Sequence, residues 1–312
     1  MRIVIPGGTG QVGTVLARAF HADRHDVVVL SRRPGSAPWR VAAWDAQNLG
    51  PWASELEGAD VVINLAGRSV NCRYTPANRR EILDSRVAST RVVGQAIARC
   101  ARPPAVWLQA STATIYAHRF DAPNDEATGV VGGGPDAPDT WRFSIDVATA
   151  WEAASKETSL VSTRLVLLRS AMIMSPDSGG IFATLLRLAR LGLGGPVAGG
   201  RQYVSWIHAH DFVRAMYWLI EHQELAGAVN VAAPHPLPYR HFMRILRHAA
   251  GIPIGLPATR WMLAVGTWVL RTESELVLKS RRVVPGRLLA SGFRFDYPDW
   301  TAAAAELVGR QR

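Results

Sequence analysis

A chain of 312 residues with 48% hydrophobic content can bury a sizeable core, enough for one large α/β domain carrying a smaller lobe. Its net charge of +10 comes almost wholly from arginine, since Lys156 and Lys279 are the only lysines, and no nucleic-acid motif or aromatic interleaving accompanies the arginines, so nucleic acid is excluded as a partner. The chain opens on a strand pattern rather than a secretory leader, and the apolar stretches at 181–193 and 261–270 are interrupted by arginine or too short for a bilayer. A cytoplasmic protein with no membrane partner is therefore expected. Cys72 and Cys100 lack metal-ligand spacing and read as ordinary thiols, and no His, Cys and carboxylate cluster suggests a metal. Residues 151–312 carry 19 basic against 11 acidic groups, whereas residues 1–150 are near balance, so the second half suits an anionic substrate such as a sugar nucleotide or acyl-CoA.

The first predicted elements are the most informative. The apolar run Ile3-Val4-Ile5 reads as a strand, breaks into a glycine cluster, and opens a helix over residues 11–20. That order holds a dinucleotide pyrophosphate in a Rossmann unit. Gly7 and Gly8 permit the tight turn, Gly10 lacks the Cβ that would fend off phosphates, and Gly13 lets helix and strand pack closely. The second strand, residues 25–30, ends in Ser31-Arg32-Arg33-Pro34-Gly35. An NAD site places a carboxylate here for the ribose 2′-hydroxyl, whereas Arg32 and Arg33 suit a 2′-phosphate. The cofactor expected is NADP(H).

Further along, residues 61–65 predict a buried strand, 81–100 a helix, and 106–110 a strand running into Ser111-Thr112-Ala113-Thr114-Ile115-Tyr116. The Gly-, Pro- and Asp-rich stretch 121–139 reads as an exposed loop near the site. A helix over 143–156 and a strand over 162–168 follow. The alternation predicts a Rossmann-type, doubly wound parallel sheet with a smaller C-terminal substrate-side lobe. Past Arg169, glycine clusters bracket a helix over 181–191, and Asp211 is placed as the N-cap of a helix over 212–221. Residues 1–233 are assigned to the dinucleotide domain with substrate-side insertions after 170, and 234–312 to a helical lobe.

The chain resembles extended, atypical short-chain dehydrogenases/reductases, in particular the "epimerase family" proteins that pair an NAD(P)-binding epimerase/dehydratase domain with a C-terminal domain of unknown function. The motifs carrying this are Gly7-Gly8-Thr9-Gly10-Gln11-Val12-Gly13, Ser31 to Gly35, Asn64-Leu65-Ala66-Gly67, Glu81 to Arg86, Trp151-Glu152, Gly192 to Pro196, Trp206-Ile207-His208 and Pro285 to Leu289 with Gly292-Phe293. The resemblance implies that Gly7, Gly8, Thr9, Gly10, Gln11, Val12 and Gly13 hold the pyrophosphate, with Ser31 and Arg32 at the 2′-phosphate. It further implies that Leu65, Ala66 and Gly67 line the cofactor, that Glu81 and Arg86 contact it, and that Ile173 lies on the nicotinamide side.

Ordinary members of that superfamily use a Tyr-x-x-x-Lys pair, which this chain lacks. Alignment on Trp151-Glu152 puts Ser144 at the tyrosine position and Ala148 at the lysine position. Serine is too weak an acid near neutral pH, and alanine carries no charge. Thr112 matches the substrate-orienting hydroxyl position, and Tyr116 is a weak candidate donor that lacks a lysine to activate it. His208 and His210 read as structural or substrate-lining. Two functions stay open: an NADP(H)-dependent oxidoreductase or epimerase acting on a small, anionic carbonyl or sugar-nucleotide substrate, and a non-catalytic NADP(H)-binding redox sensor or regulatory protein. The sequence leaves the oligomeric state open.

Overall fold

The computed structural model describes residues 1–134, 137–257 and 275–311. In chain order the strands are β1 Arg2–Pro6, β2 Asp26–Ser31, β3 Arg40–Ala43, β4 Val61–Asn64, β5 Val106–Thr112, β6 Arg164–Ser170, β7 Met172–Met174, β8 Tyr203–Val204, β9 Trp206–His208, β10 Gly227–Val231 and β11 Leu237–Pro238. The helices are α1 Gln11–Ala22, α2 Pro76–Ala98, α3 Asp139–Ala154, α4 Ile181–Arg190, α5 Ala209–Glu221 and α6 Tyr239–Ala249, then α7 Glu275–Leu278, α8 Gly286–Ala290 and α9 Trp300–Gly309. The predicted stretch 261–270 lies outside the described residues.

Seven strands form one parallel sheet in the order β10-β6-β5-β4-β1-β2-β3. The strands are almost continuously apolar because both faces are covered. Alternation sends Ile3, Ile5, Val27, Val29, Val61, Ile63, Val106 and Leu108 into a core shared with α1 and α5. It sends Val4, Val28, Leu30, Val62 and Trp107 to the other face, against Val92, Val93, Ala96 and Ile97 of α2. The chain reverses direction across the sheet between β1 and β4. Ligands of such sheets bind outside the carboxyl ends of the strands at that point.

Two edge strands, β3 and β10, were not anticipated. Arg40-Val41-Ala42-Ala43 is short, with no fully buried residue, so its pattern is too faint to read locally. Helix α2 begins at Pro76, five residues before the predicted start, because Thr75 caps Asn78 N at 3.3 Å and Pro76 suits the first turn. Asp211 is not a cap: His208 occupies that position and its Nδ1 accepts from His210 N at 3.1 Å. Asp211 is instead fully buried, accepting from Asp296 N at 2.9 Å and Tyr297 N at 2.8 Å.

A second core joins residues from either side of position 234. Met174, Phe182, Leu186 and Trp206 share it with Phe242, Leu246, Trp300 and Leu307. Trp300 stacks on Phe242 with ring centroids 4.1 Å apart and donates from Nε1 to the Phe242 carbonyl at 2.9 Å. Between α7 and α8 the backbone runs back across the molecule. Ser280 N donates to His118 Nδ1 at 2.7 Å, Arg281 N to Tyr203 O at 2.9 Å, and Val284 N to Asn124 O at 3.0 Å. Among its described residues, the loop predicted over 121–139 thus carries one fully buried anchor, Asn124.

Candidate functional site

At the β1–α1 turn each glycine has a distinct local reason. Gly7 has φ +75°, and a Cβ there would sit 2.6 Å from Ala66 Cα. A Cβ on Gly13 would sit 2.4 Å from Gly8 Cα, so the helix rests directly on the turn. A Cβ on Gly10 would meet nothing within 4 Å. Gly10 is also the N-cap of α1, with no side chain capping the helix. The free N–H groups and positive dipole end of α1 therefore face open space, which is where an anion fits. Thr9 is exposed beside it, and Val12 packs on the main core. The Gln11 amide lies against the turn that opens α4, since a Cβ on Gly180 would sit 2.0 Å from Gln11 Nε2.

Ser31, at the end of β2, is buried and closes its own turn: Oγ accepts from Arg33 N at 3.1 Å and donates to Arg33 O at 3.0 Å. That lock leaves Arg32 and Arg33 exposed, and neither has an ion partner among the described residues. At the end of β4, Asn64 donates to Gln109 Oε1 at 2.9 Å and accepts from Ala66 N at 3.1 Å, fixing Leu65-Ala66-Gly67 beside Gly7. Gly67 faces Arg86, whose Cγ would lie 3.1 Å from a Cβ there. Arg86 donates to Ile82 O at 2.9 Å and lies 4.9 Å over the Trp151 ring, with no carboxylate partner among the described residues. Burial pushes its guanidinium down to about 10. A half-buried, unneutralised cation beside a glycine turn suits an anionic ligand. Glu81 is exposed and paired with Arg68, the neighbour of Gly67. Ile173, in β7, is buried against the main core and pairs with Ile207.

Beyond β5, Thr112 Oγ1 accepts from Thr114 N at 3.1 Å and caps the short turn Ala113–Ile115. Tyr116 is 2% exposed. Its hydroxyl donates to Asn230 Oδ1 and accepts from Arg169 Nη1, each at 3.0 Å, and burial pushes the phenol up. Arg169 also grips Glu152 with both prongs at 2.8 Å, and Ser111 Oγ donates to the same carboxylate at 2.6 Å. Tyr116→Phe is expected to cost about 1–3 kcal/mol of stability by stranding these partners, with NADPH affinity unchanged. Denaturant unfolding and cofactor titration of the variant check this; a stable variant with weakened cofactor binding would contradict it.

On α3, Ser144 Oγ donates to Glu275 of α7, and Ala148 is fully buried near Val283 and Ala113. Lys279 follows α7 and is 2% exposed; its Nζ donates to Thr114 O at 2.7 Å and lies 4.0 Å from Glu275 Oε1. His208 stacks on Tyr297 at 4.0 Å and pairs with Glu306 at 3.0 Å. His210, Asp211 and Asp296 have metal-ligand spacing, but Arg214 already lies 3.1 Å from Asp211 and 3.2 Å from Asp296.

The model of the NAD-dependent epimerase/dehydratase family matches residues 3–232. The chain belongs to that family. A second model, a domain of unknown function (DUF1731), matches residues 259–307 of this epimerase-family chain. Epimerase family protein SDR39U1 of Bos taurus is 33% identical over 314 residues, spanning 99% of this chain and 100% of the relative. Epimerase family protein YfhF of Bacillus subtilis is 29% identical over 315 residues, spanning 100% and 99%. The crystal structure of human epimerase family protein SDR39U1 (isoform 2) with NADPH superposes with a TM-score of 0.85 at 30% identity, covering 99% of each chain. Among the described residues of this family member, no helix is long and apolar enough to cross a membrane.

Sequence reasoning did not single out Lys279 as a site residue. Its available signal was rarity, as one of two lysines in an arginine-rich chain.

Proposed function

We propose that this epimerase-family protein binds NADP(H) and transfers hydride between it and a small, anionic carbonyl or sugar-nucleotide substrate. The observation that carries the reading is the uncapped α1 N-terminus opening onto open space at Gly10, with the guanidinium groups of Arg32 and Arg33, which have no ion partner among the described residues, one strand away. The helix end would hold the pyrophosphate and the arginines the 2′-phosphate, with Ser31 fixing their turn. Arg86 adds a half-buried charge that a phosphate would neutralise. The human relative crystallised with NADPH supports the same reading. When bound, the cofactor supplies the hydride; the chain's part is to hold substrate at the carboxyl ends of β5 and β6. Residues 1–233 would serve the cofactor, and the segment after 234 would close the substrate side. A cavity of about 200 Å³ between α3 and Lys279 of that segment favours turnover over a purely regulatory role.

The test is spectrophotometric. Purified protein with NADPH is expected to oxidise the dihydronicotinamide with at least one member of a panel of aldehydes, 2-oxo acids, ketones and sugar nucleotides. Tight NADPH binding with no oxidation across that panel would contradict the enzymatic reading.

A further inference from the structure

We propose that Lys279 is the proton donor to the substrate's carbonyl oxygen, delivered to the reaction centre by the C-terminal segment; this rests on the oxidoreductase reading above. Toward this region helix α3 presents Trp141, Ser144, Ile145 and Ala148, none of which can exchange a proton near neutral pH. The far end of the chain fills the gap. Glu275 accepts from Ser144, and one turn later the Lys279 ammonium reaches the carbonyl of Thr114, two residues beyond Thr112. Nζ thus stands between α3 and the carboxyl end of β5, on the edge of the sheet where ligands of this fold bind.

The ammonium has donors to spare. Of its three N–H groups, the described residues take one in a hydrogen bond, since Glu275 at 4.0 Å is beyond hydrogen-bond reach. Lys279 lines a cavity of about 200 Å³ with His118, Gly133, Gly134, Trp141 and Ile145. That volume is several times the ~30 Å³ share of a water molecule, so a small aldehyde or 2-oxo acid fits. Among the described residues the charged groups around Nζ are Glu275 and Arg281, while burial and the neighbouring cations lower the His118 imidazole and keep it neutral; with the Lys279 ammonium the site is net positive, so an anionic carbonyl compound is favoured. Burial, reinforced by Arg281 and opposed by Glu275, brings the amine down to about 8, so both proton states are populated near neutral pH.

In the reducing direction the carbonyl carbon gains a hydride from NADPH and the C=O π pair moves onto oxygen. That oxygen takes a proton from Nζ, giving the alcohol and NADP⁺. Neutral Lys279 then regains its proton from solvent.

With only two lysines in the chain, the test needs no cofactor. Glyoxylate and cyanoborohydride alkylate free amines, and peptide mass spectrometry reads exposed Lys156 and buried Lys279 separately. An amine at about 8 is some hundredfold more deprotonated near neutral pH than an ordinary lysine near 10.4, so Lys279 is expected to label at least roughly tenfold faster than Lys156 despite its burial. Its rate should level off above about pH 8 while that of Lys156 keeps rising, and Lys156→Arg should leave Lys279 labelling unchanged. Labelling of Lys156 alone, or a Lys279 rate that still climbs through the ordinary lysine range, overturns the assignment even if NADPH is oxidised. Absent NADPH oxidation with fast Lys279 labelling would instead count against the hydride-transfer reading. For any substrate the panel yields, kcat for reduction should fall as pH rises through about 8, where Lys279 loses its proton, and that limb should vanish in Lys279→Met. A limb that persists in the variant also overturns the proposal.

Discussion

Replacing Arg32 and Arg33 together with alanine is expected to weaken NADPH binding by roughly a hundredfold and to leave NADH binding within about twofold. Each charge-assisted hydrogen bond to a phosphate contributes about 1.5–3 kcal/mol. Both guanidinium groups are exposed, so water screens part of that gain and the pair is worth about 3 kcal/mol rather than the full sum. Neither arginine has a competing carboxylate among the described residues, so nothing internal must be broken to bind. The single variants should divide the loss unequally, because Ser31 Oγ pins the backbone of Arg33 while Arg32 sits at the apex of the turn. Titration calorimetry of both cofactors at low and moderate salt checks this, with the NADPH advantage shrinking as salt rises. Equal losses for the two cofactors would place the arginines elsewhere than at the 2′-phosphate.

Glu152→Ala is expected to lower stability by about 3–5 kcal/mol, the largest single-residue effect on folding in the account. Arg169 and Glu152 are 11% and 7% exposed at the side chain and meet through two 2.8 Å contacts. Burial alone would lower the Arg169 guanidinium, but the hydrogen bonds and charge of Glu152 outweigh it and hold it above its ordinary value. Removing the carboxylate leaves that charge largely buried, with the Tyr116 hydroxyl and its ring, 5.1 Å away, as its only company among the described residues. Ser111 loses its acceptor as well. Glu152→Met/Arg169→Met should regain much of the loss, since an apolar pair of comparable volume leaves no stranded charge. Urea unfolding of both variants measures this; a single variant within about 1 kcal/mol of the parent would show that the pair is not structurally coupled.

Much of the sheet was legible because its signal is local. The alternation of Ile3, Val4 and Ile5 into opposite cores needs only a strand covered on both faces. The glycine spacing likewise carries its own geometry, down to the contact of Gly13 with Gly8. The edge strands β3 and β10 were not legible, because their pairing partners rather than their own residues define them. The cap at His208 was missed because Asp211 is the better cap former by type, but the backbone amides of Asp296 and Tyr297 compete for its carboxylate. The pairing of Glu81 with Arg68 was not legible either, since it is set by how the loop before α2 folds back. Lys279 was invisible for a related reason: Thr114 lies 165 positions away in the chain, and only the returning C-terminal segment brings the two together.

The α1 terminus and the arginine pair are expected to clasp a dinucleotide bearing a 2′-phosphate. Side-by-side calorimetric titration of NADPH and NADH into the unmodified protein tests this most directly. The account predicts tighter binding of NADPH by at least about tenfold, equivalent to ~1.4 kcal/mol. Equal affinity for both, or no heat with either, would contradict it.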